Sequence, residues 1–279
     1  MPDRPRVYKT QGVVLRRRNL GEADSIFTVL SPHEGKFEAI AKGVRKARSR
    51  MRGHLEPLTR TSLLLARGRS LDVVTQAETI TPYRGVRESL ERCAAAIYCA
   101  ELADRFTVEH AENPGLYGLV LALLDSLEED APLHVARYFE LHLLSLTGYE
   151  LQLDVCAVCG GRLPPEDTFL SAAAGGFACP GCRGSAGAGR MLGVRAVKVL
   201  RFARSCGIAE FAVVRVDEQL GRELQAALAD VVRYFLDREP RTRRYVEDVA
   251  ALPAPVHVTA TDPLELDPAL SDPTHLPKV

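Results

Sequence analysis

Four cysteines in the second half of the chain constrain the fold more than any other feature. They form two C-x2-C pairs separated by a spacer of 19 residues: Cys156, Cys159, Cys179 and Cys182. A C-x2-C pair folds into a tight turn that directs both sulfurs at one ion, and four thiolates complete the tetrahedral shell of structural zinc. Gly160 permits the turn and Pro180 stiffens it. We therefore predict one structural zinc ion per chain.

Other interpretations of the cysteines stay open at this point. A disulfide set or unrelated buried cysteines would need no metal, and an iron–sulfur cluster also takes four thiolates. Four protein ligands leave no open coordination position, so the predicted ion should hold a small ribbon together and perform no chemistry. The other cysteines lie in apolar helical contexts and are expected to be buried free thiols: Cys93, Cys99 and Cys206.

The charge of the chain is zero overall but unevenly distributed. Residues 1–80 contain 16 Lys and Arg against 8 Asp and Glu, a net charge of +8, and the remainder carries −8. A basic first domain favours a polyanionic partner, although a solvated charged face would give the same imbalance. The chain has neither an apolar run of membrane-spanning length nor an apolar signal segment at its start, and we expect a reducing cytoplasm.

The first eighty residues alternate between β-rich runs and turn-forming residues. Five strands are predicted, at residues 10–18, 25–30, 36–41, 61–66 and 71–76. The second and third should form one hairpin and the fourth and fifth another. This strand count, with a longer excursion between the third and fourth, matches an OB-fold barrel. Phe27 and Phe37 could stack on bases from the first hairpin, but core packing is the simpler interpretation.

The excursion between the third and fourth strands is rich in basic residues, and we call residues 42–53 the basic loop. It holds six basic residues and no acidic one: Lys42, Arg45, Lys46, Arg48, Arg50 and Arg52. Such a loop beside a small barrel can follow the phosphates of a nucleic acid. Arg16 and Arg18 share one strand face and could extend this path. Nothing in the loop would read a base sequence, so we predict binding with little sequence preference.

Beyond residue 80 the apolar pattern changes to a helical period. Helices are predicted over 84–110, from Pro114, over 132–148, over 194–205 and over 217–237. The cysteine ribbon is thus inserted into one all-α unit. We predict an α+β multidomain protein: an OB-fold barrel at 1–80, an all-α domain at 81–250 interrupted by a four-cysteine zinc ribbon at about 151–190, and a Pro-rich acidic tail at 251–279 that is extended or disordered.

No catalytic pattern accompanies these elements. The chain lacks a G-x-x-x-x-G-K-[ST] loop, an H-E-x-x-H helix and a G-x-S-x-G elbow. His134 and His142 lie eight residues apart on one helix, too far to share one ion easily. We therefore predict a non-enzymatic protein. Two rivals are a zinc-ribbon nuclease, which would need a second, open metal site, and a scaffold whose helices bind other proteins.

The runs YKTQGVVLRRRNLGEADSIFTVLSPHEGKFEAIAKGVRKARSRMRGHLEPLTR and LDVVTQAE resemble the N-terminal barrel of the RecO family of bacterial recombination mediators. The helices and the CAVC…CPGC ribbon match the rest of that family's layout, so the resemblance covers about residues 7 to 250. It implies DNA repair through a barrel that binds single- and double-stranded DNA, annealing of complementary strands, and the loading of RecA onto strands coated by single-strand binding protein. A nucleoid-associated, cytoplasmic protein is expected.

The resemblance also implies two protein partners, RecR and the C-terminal tail of single-strand binding protein. An apolar pocket in the helical unit should hold that tail, with basic residues near its rim. The candidates for the rim are Arg201, Arg204, Arg241, Arg243 and Arg244. The tail at 251–279 departs from the family pattern.

Overall fold

Residues 6–250 are described by the structure, a computed structural model, and they begin with a five-stranded sheet. Its strands are β1 (Val7–Leu20), β2 (Asp24–Ser31), β3 (Gly35–Ala41), β4 (Arg60–Ala66) and β5 (Asp72–Thr81). They close in the order β1-β2-β3-β5-β4, with β3 and β5 parallel and the other neighbours antiparallel. Both predicted hairpins are confirmed, and the strand order is OB-like.

The interior of this sheet is a small core of its own. Phe27 and Phe37 are each 1% exposed and pack there with Leu63 and Leu65, so the core interpretation of the two phenylalanines is confirmed. These residues alternate with outward-facing ones, as the two-residue period of a strand requires. Side chains fill a barrel this small. Any ligand must therefore bind outside it or on its loops.

The turn between β2 and β3 is pressed against the helical region. Gly35 has φ +64°, and a Cβ there would lie 2.3 Å from the carbonyl oxygen of Ala111, so glycine is required. The next side chain, Lys36, is only 9% exposed. Its Nζ donates to the carbonyl oxygen of Thr107 at 2.7 Å and pairs with Asp104 at 3.2 Å. Sheet and helices are thus joined by satisfied polar contacts.

Eight helices and a second sheet make up the rest of the described chain. The helices are α1 (Arg84–Glu88), α2 (Leu90–Arg105), α3 (Pro114–Glu128), α4 (Val135–Leu146), α5 (Val194–Ser205), α6 (Ile208–Ala212), α7 (Glu218–Leu236) and α8 (Arg243–Ala250). The predicted start at Pro114 is confirmed, because the side chain of Asn113 accepts from the amide of Leu116 at 2.9 Å. Within residues 6–250 none of the helices has the length and apolar character that crossing a membrane would require.

The main hydrophobic core lies among the helices and extends into both neighbouring elements. Val13 and Leu30 join it from the outside of the first sheet. Leu170, Phe177 and Leu192 join it from the second sheet, which carries the cysteines. The cysteine ribbon therefore packs on the helical core and is not an independent module.

The three cysteines outside the two C-x2-C pairs are free thiols in the helical unit. Cys99 is buried and Cys93 and Cys206 are partly buried, all as free thiols. Burial raises the pKa of the Cys99 thiol well above its ordinary value. The predicted tail at 251–279 lies outside the described residues.

Candidate nucleic-acid interface and metal site

The basic loop is held by its backbone and by apolar anchors. Val44 is 3% exposed and packs into the core of the first sheet. The amide of Gly43 donates to Oδ1 of Asp24 at 2.7 Å, and the amide of Arg45 donates to the carbonyl oxygen of Ala23 at 2.9 Å. The loop is thereby fastened to the β1–β2 turn. None of these contacts uses the charge of a basic side chain.

The six basic side chains of the loop are all exposed. Within residues 6–250 none of the six forms an ion pair, and the hydrogen bond of Arg45 to the carbonyl oxygen of Gly21 at 3.0 Å leaves its charge uncompensated. Six like charges on twelve consecutive residues repel one another. This repulsion is relieved when phosphates approach and the condensed counterions leave the nucleic acid. The loop has the electrostatics of a phosphate-binding surface.

The two strand arginines predicted to extend this surface are in a different setting. Arg18 pairs with Glu38 at 2.7 Å, and Arg16 pairs with Glu38 at 3.4 Å and with Asp104 at 3.2 Å. Burial would raise the pKa of Glu38, but the hydrogen bond and charge of Arg18 and the charge of Arg16 hold this pKa below its ordinary value. Each arginine side chain keeps about half of its exposure, 51% for Arg16 and 48% for Arg18.

The strand register places the arginines on the face that leads to the loop. Arg16 lies opposite Thr28, which in turn lies opposite Glu38. Arg18 lies opposite Ile26, which is nearer to the start of β2. The strand pair ends at Asp24, which holds the start of the loop. Arg18 therefore lies nearer to the start of the loop than Arg16 does. Sequence reasoning missed the neutralising acids, because the register across three strands leaves no local signal.

The four predicted metal ligands converge in the structure. Their sulfurs all lie within 4.8 Å of one another, and Sγ of Cys159 is 3.9 Å from Sγ of Cys179. Tetrahedral zinc with bonds of about 2.3 Å separates its sulfurs by about 3.8 Å, whereas a disulfide bond is about 2.05 Å long. All four cysteines are free, so the disulfide alternative is wrong. The donor set fits a closed four-sulfur site.

The backbone beside Cys156 favours the thiolate form of this cysteine. The amide of Cys179 donates to Sγ of Cys156 at 3.3 Å, and amide hydrogen bonds from Cys179 and Cys159 lower the pKa of Cys156 to about 6. Hydrogen bonds with Cys179 and Cys159 raise the pKa of Cys182 to about 12. Gly160 has φ +74°, the left-handed conformation predicted for the first turn. The quartet could hold one metal ion.

Three short strands and two arginines position this quartet. Strands β6 (Thr168–Ser171), β7 (Gly176–Ala178) and β8 (Arg190–Leu192) form a sheet in the order β7-β6-β8. Arg201 of α5 donates to the carbonyl oxygens of Leu153 at 2.6 Å and Leu163 at 3.1 Å, and Arg204 pairs with Asp154. These two arginines fasten the ribbon to the helices, and neither lines the apolar groove of the helical unit.

An apolar groove of about 670 Å³ lies elsewhere on the helical unit, between α2, α4, α7 and α8. Ala95, Leu133 and Val246 line its apolar part, and Arg137 and Arg222 also line it. Arg137 pairs with the buried Glu140 at 3.0 Å. Carboxylates also line the groove, at Glu91, Asp217 and Glu218, so its walls are partly apolar and partly charged.

Comparison with known proteins identifies relatives of both halves of the chain. The family model described as Recombination protein O N terminal matches residues 6–83, and the model described as Recombination protein O C terminal matches residues 87–244. The two matches cover the strand-rich sheet with its basic loop and the helical region with its cysteine quartet.

Curated relatives match over nearly the same extent. The chain is 37% identical to a DNA repair protein RecO of Roseiflexus sp. (strain RS-1) over 264 residues, which are 92% of this chain and 93% of the relative. It is 37% identical to the DNA repair protein RecO of Desulforudis audaxviator over 86% of this chain and 96% of the relative. A protein of the same name from Dehalococcoides mccartyi is 34% identical over 88% of this chain and 98% of its own length.

Proposed function

This chain belongs to the RecO family of DNA repair proteins, and from this membership we propose that it is a recombination mediator that binds single- and double-stranded DNA. The basic loop carries the proposal, because its six exposed cations have no acidic partner within the described residues. Phosphate contacts without base readout bind every sequence alike. They also neutralise two like-charged strands while leaving their bases free to pair. Annealing of complementary strands follows from that combination.

Zinc and the domain division complete the proposed architecture. We assign the first sheet to an OB-fold DNA-binding domain at about 1–80, followed by a helical domain at 81–250 and the tail at 251–279. In the zinc ribbon at about 151–190, Cys156, Cys159, Cys179 and Cys182 would hold one structural ion. The sulfur geometry supports this assignment. The ion would supply folding stability only, because four protein ligands leave no position for a substrate.

The proposed partners follow from the family and from the apolar groove. We propose that the protein acts with RecR and helps to load RecA onto DNA coated by single-strand binding protein, in the cytoplasm with the nucleoid. The hydrophobic C-terminal tail of single-strand binding protein would bind in the groove between Leu133 and Val246, near Arg137 and Arg222. Calorimetry at low salt with a synthetic tail peptide tests this point. Absence of binding, or binding unchanged by Leu133→Asp, would contradict it.

The central test is binding and annealing by the intact chain. Labelled single strands and duplexes of unrelated sequence should bind with similar affinity within each class. If all six loop cations engage a single strand, log affinity should fall with log salt with a slope of about −4, from roughly −0.7 per contact. Complementary strands should anneal faster with the protein present and without ATP. Strong sequence preference, or binding that salt does not weaken, would overturn the proposal.

The same assay separates this function from its rivals. A nuclease would shorten the labelled strands when Mg²⁺ or Mn²⁺ is supplied, and the mediator should leave them intact. A scaffold whose sheet is incidental would bind no DNA at 50 mM salt and would leave the annealing rate unchanged.

A further inference from the structure

Four aromatic side chains form a line of ring contacts on the helical unit, which we call the aromatic ladder: Phe106, Tyr149, Phe235 and Tyr234. Phe106 follows α2, Tyr149 follows α4, and the other two end α7, so three elements meet here. The ring centroids are 5.8 Å apart for Phe106 and Tyr149, and 4.5 Å for Tyr149 and Phe235. The last pair, Phe235 and Tyr234, is 5.3 Å apart. These are ordinary distances for aromatic pairs.

The two tyrosines of the ladder differ from the tyrosines of the core. Tyr149 is 41% exposed and Tyr234 is 55% exposed, and neither hydroxyl has a hydrogen bond within the described residues. Tyr83 and Tyr98, by contrast, are almost fully buried and donate to carboxylates. Part of the Tyr149 ring and part of the Tyr234 ring are therefore open to solvent, although Tyr149 also packs against Phe106 and Phe235. Clustered exposed rings of this kind mark a binding surface.

The charges around the ladder nearly cancel. Arg233 and Arg238 flank its α7 end, but Arg233 pairs with Asp230 at 2.9 Å. Asp237 and Glu150 are also exposed next to ladder residues. A polyanion would gain little from charge here, so a ligand would be held mainly by stacking. This distinguishes the ladder from the basic loop, whose cations are unpaired.

The ladder begins where the outer face of the first sheet ends. Asp104, two residues before Phe106, pairs with Arg16 of β1 and with Lys36 of β3, each at 3.2 Å. The end of α2 is thus fixed against the strands that lead to the basic loop. The basic loop begins at the other end of β3, after Ala41, so a strand held on the loop would have to follow β3 back towards Lys36 to reach Phe106.

We propose that the aromatic ladder is a second contact site for single-stranded DNA, with bases stacked on Tyr149 and Tyr234 while the basic loop holds phosphates. The proposal rests on the proposed DNA binding, and it adds a site and a selectivity. Every base has a face that can stack on an aromatic ring, so the site tolerates all sequences. In a duplex those faces are already stacked on neighbouring bases. The ladder therefore favours single strands, and stacked bases keep their pairing edges free for a complementary strand.

The test compares two variants on three DNA ligands. Tyr149→Leu with Tyr234→Leu removes the rings but keeps apolar bulk, and Tyr245→Leu is the matched control, because Tyr245 is also 41% exposed and has no ring contact. The ligands are a single strand of about 25 nucleotides, one of about 8 nucleotides that fits a single OB fold, and a duplex. The ladder variant should bind the long strand about tenfold or more weakly, with an unchanged salt slope. Its affinity for the other two ligands should match that of the control.

Each outcome separates this proposal from the one on which it depends. If the intact chain binds DNA and the ladder variant binds the long strand normally, the ladder proposal is overturned and DNA binding stands. An equal loss on the duplex and on the single strand would also overturn it. A photocrosslinking experiment with 5-iododeoxyuridine in the long strand should attach DNA to Tyr149 or Tyr234, and crosslinks confined to the first sheet would count against the ladder.

Discussion

The basic loop and strand β1 carry the same kind of side chain in two electrostatic settings. The six loop cations are exposed and have no acidic partner within residues 6–250, whereas Arg16 and Arg18 share Glu38, and Arg16 also reaches Asp104. Both surfaces belong to the first sheet and its connections. A count of positive residues would treat them alike, but only the loop offers charge that a phosphate can use without first displacing a carboxylate.

The pairing of the cations suits what each region does. Loop cations fastened by backbone contacts can meet DNA without rearranging the fold. The arginines on β1 help to join the sheet to α2, because Arg16 bridges to Asp104. We infer that the arginines of β1 act in the packing of the sheet against the helices, whereas the cations of the loop bind the ligand. The four predictions below test this division, in the order of their expected effect on DNA affinity.

The largest effect is expected from Arg45→Ala, Lys46→Ala and Arg48→Ala together. Three lost phosphate contacts should change the salt slope from about −4 to about −2, and should weaken binding roughly 100-fold at 0.1 M salt. All sequences should be affected alike, annealing should slow, and the unfolding temperature should not change, because these side chains are exposed. Fluorescence anisotropy over a salt series measures both quantities. An unchanged slope would move the DNA path off the loop.

A gain of affinity is expected from Glu38→Gln. The amide has no charge, so Arg18 loses its carboxylate partner and becomes available to a phosphate, while Arg16 keeps Asp104. One additional contact should steepen the salt slope by about 0.7 and strengthen binding about fivefold at 0.1 M salt. Glu56→Gln is the matched control, because Glu56 pairs with Arg17 instead. Equal affinity for both variants would mean that Arg18 lies outside the DNA path.

Several features of the fold and the site could be predicted from the sequence, because each depends on residues that are close together in the chain. The cysteine quartet, the six loop cations and the start of α3 all depend on spacings within a few residues. The roles of Glu38 and Asp104 depend on the register of three strands and on the packing of α2 against the sheet. No short pattern encodes those contacts.

The elements that were not predicted from the sequence also depend on contacts between residues that are far apart in the chain. Helix α8 follows Pro240, and the sequence pattern predicts no helix beyond residue 237. Carboxylate oxygens of Glu101 accept from the amide and hydroxyl of Thr242, which holds the start of α8 on α2 across 141 residues. Residues of the aromatic ladder are equally remote in sequence. A contact that closes such a distance is visible only in the fold.

A smaller effect on DNA is expected from Arg16→Ala with Arg18→Ala. Because both arginines are already paired, affinity at 0.1 M salt should fall less than threefold. The larger change should be a stability loss of about 1 kcal/mol, a value kept small because the arginines are half exposed. The pairs hold the pKa of Glu38 below 4.5, so they stabilise the fold above that pH and lose this effect as the pH falls through the folded-state pKa. Thermal unfolding at pH 7 and pH 3 should show the difference between variant and wild type shrinking at acid pH.

The smallest change in DNA affinity is expected from removal of the metal, although its effect on the fold is large. Structural zinc contributes on the order of 10 kcal/mol to the folding of its module. Leu170, Phe177 and Leu192 connect the ribbon to the helical core, so chelation or Cys179→Ser should lower the stability of the helical unit as well as of the ribbon.

The first sheet has a separate core around Phe27 and Phe37, and the basic loop is anchored there. A strand of about 8 nucleotides, short enough for one OB fold, should therefore bind the metal-free protein with the same salt slope. Thermal unfolding and zinc content measure the effect on stability, and anisotropy on the same sample measures the salt slope. Less than half an equivalent of zinc in carefully purified protein would contradict the metal assignment, and a flattened salt slope after chelation would show that the loop depends on the ribbon.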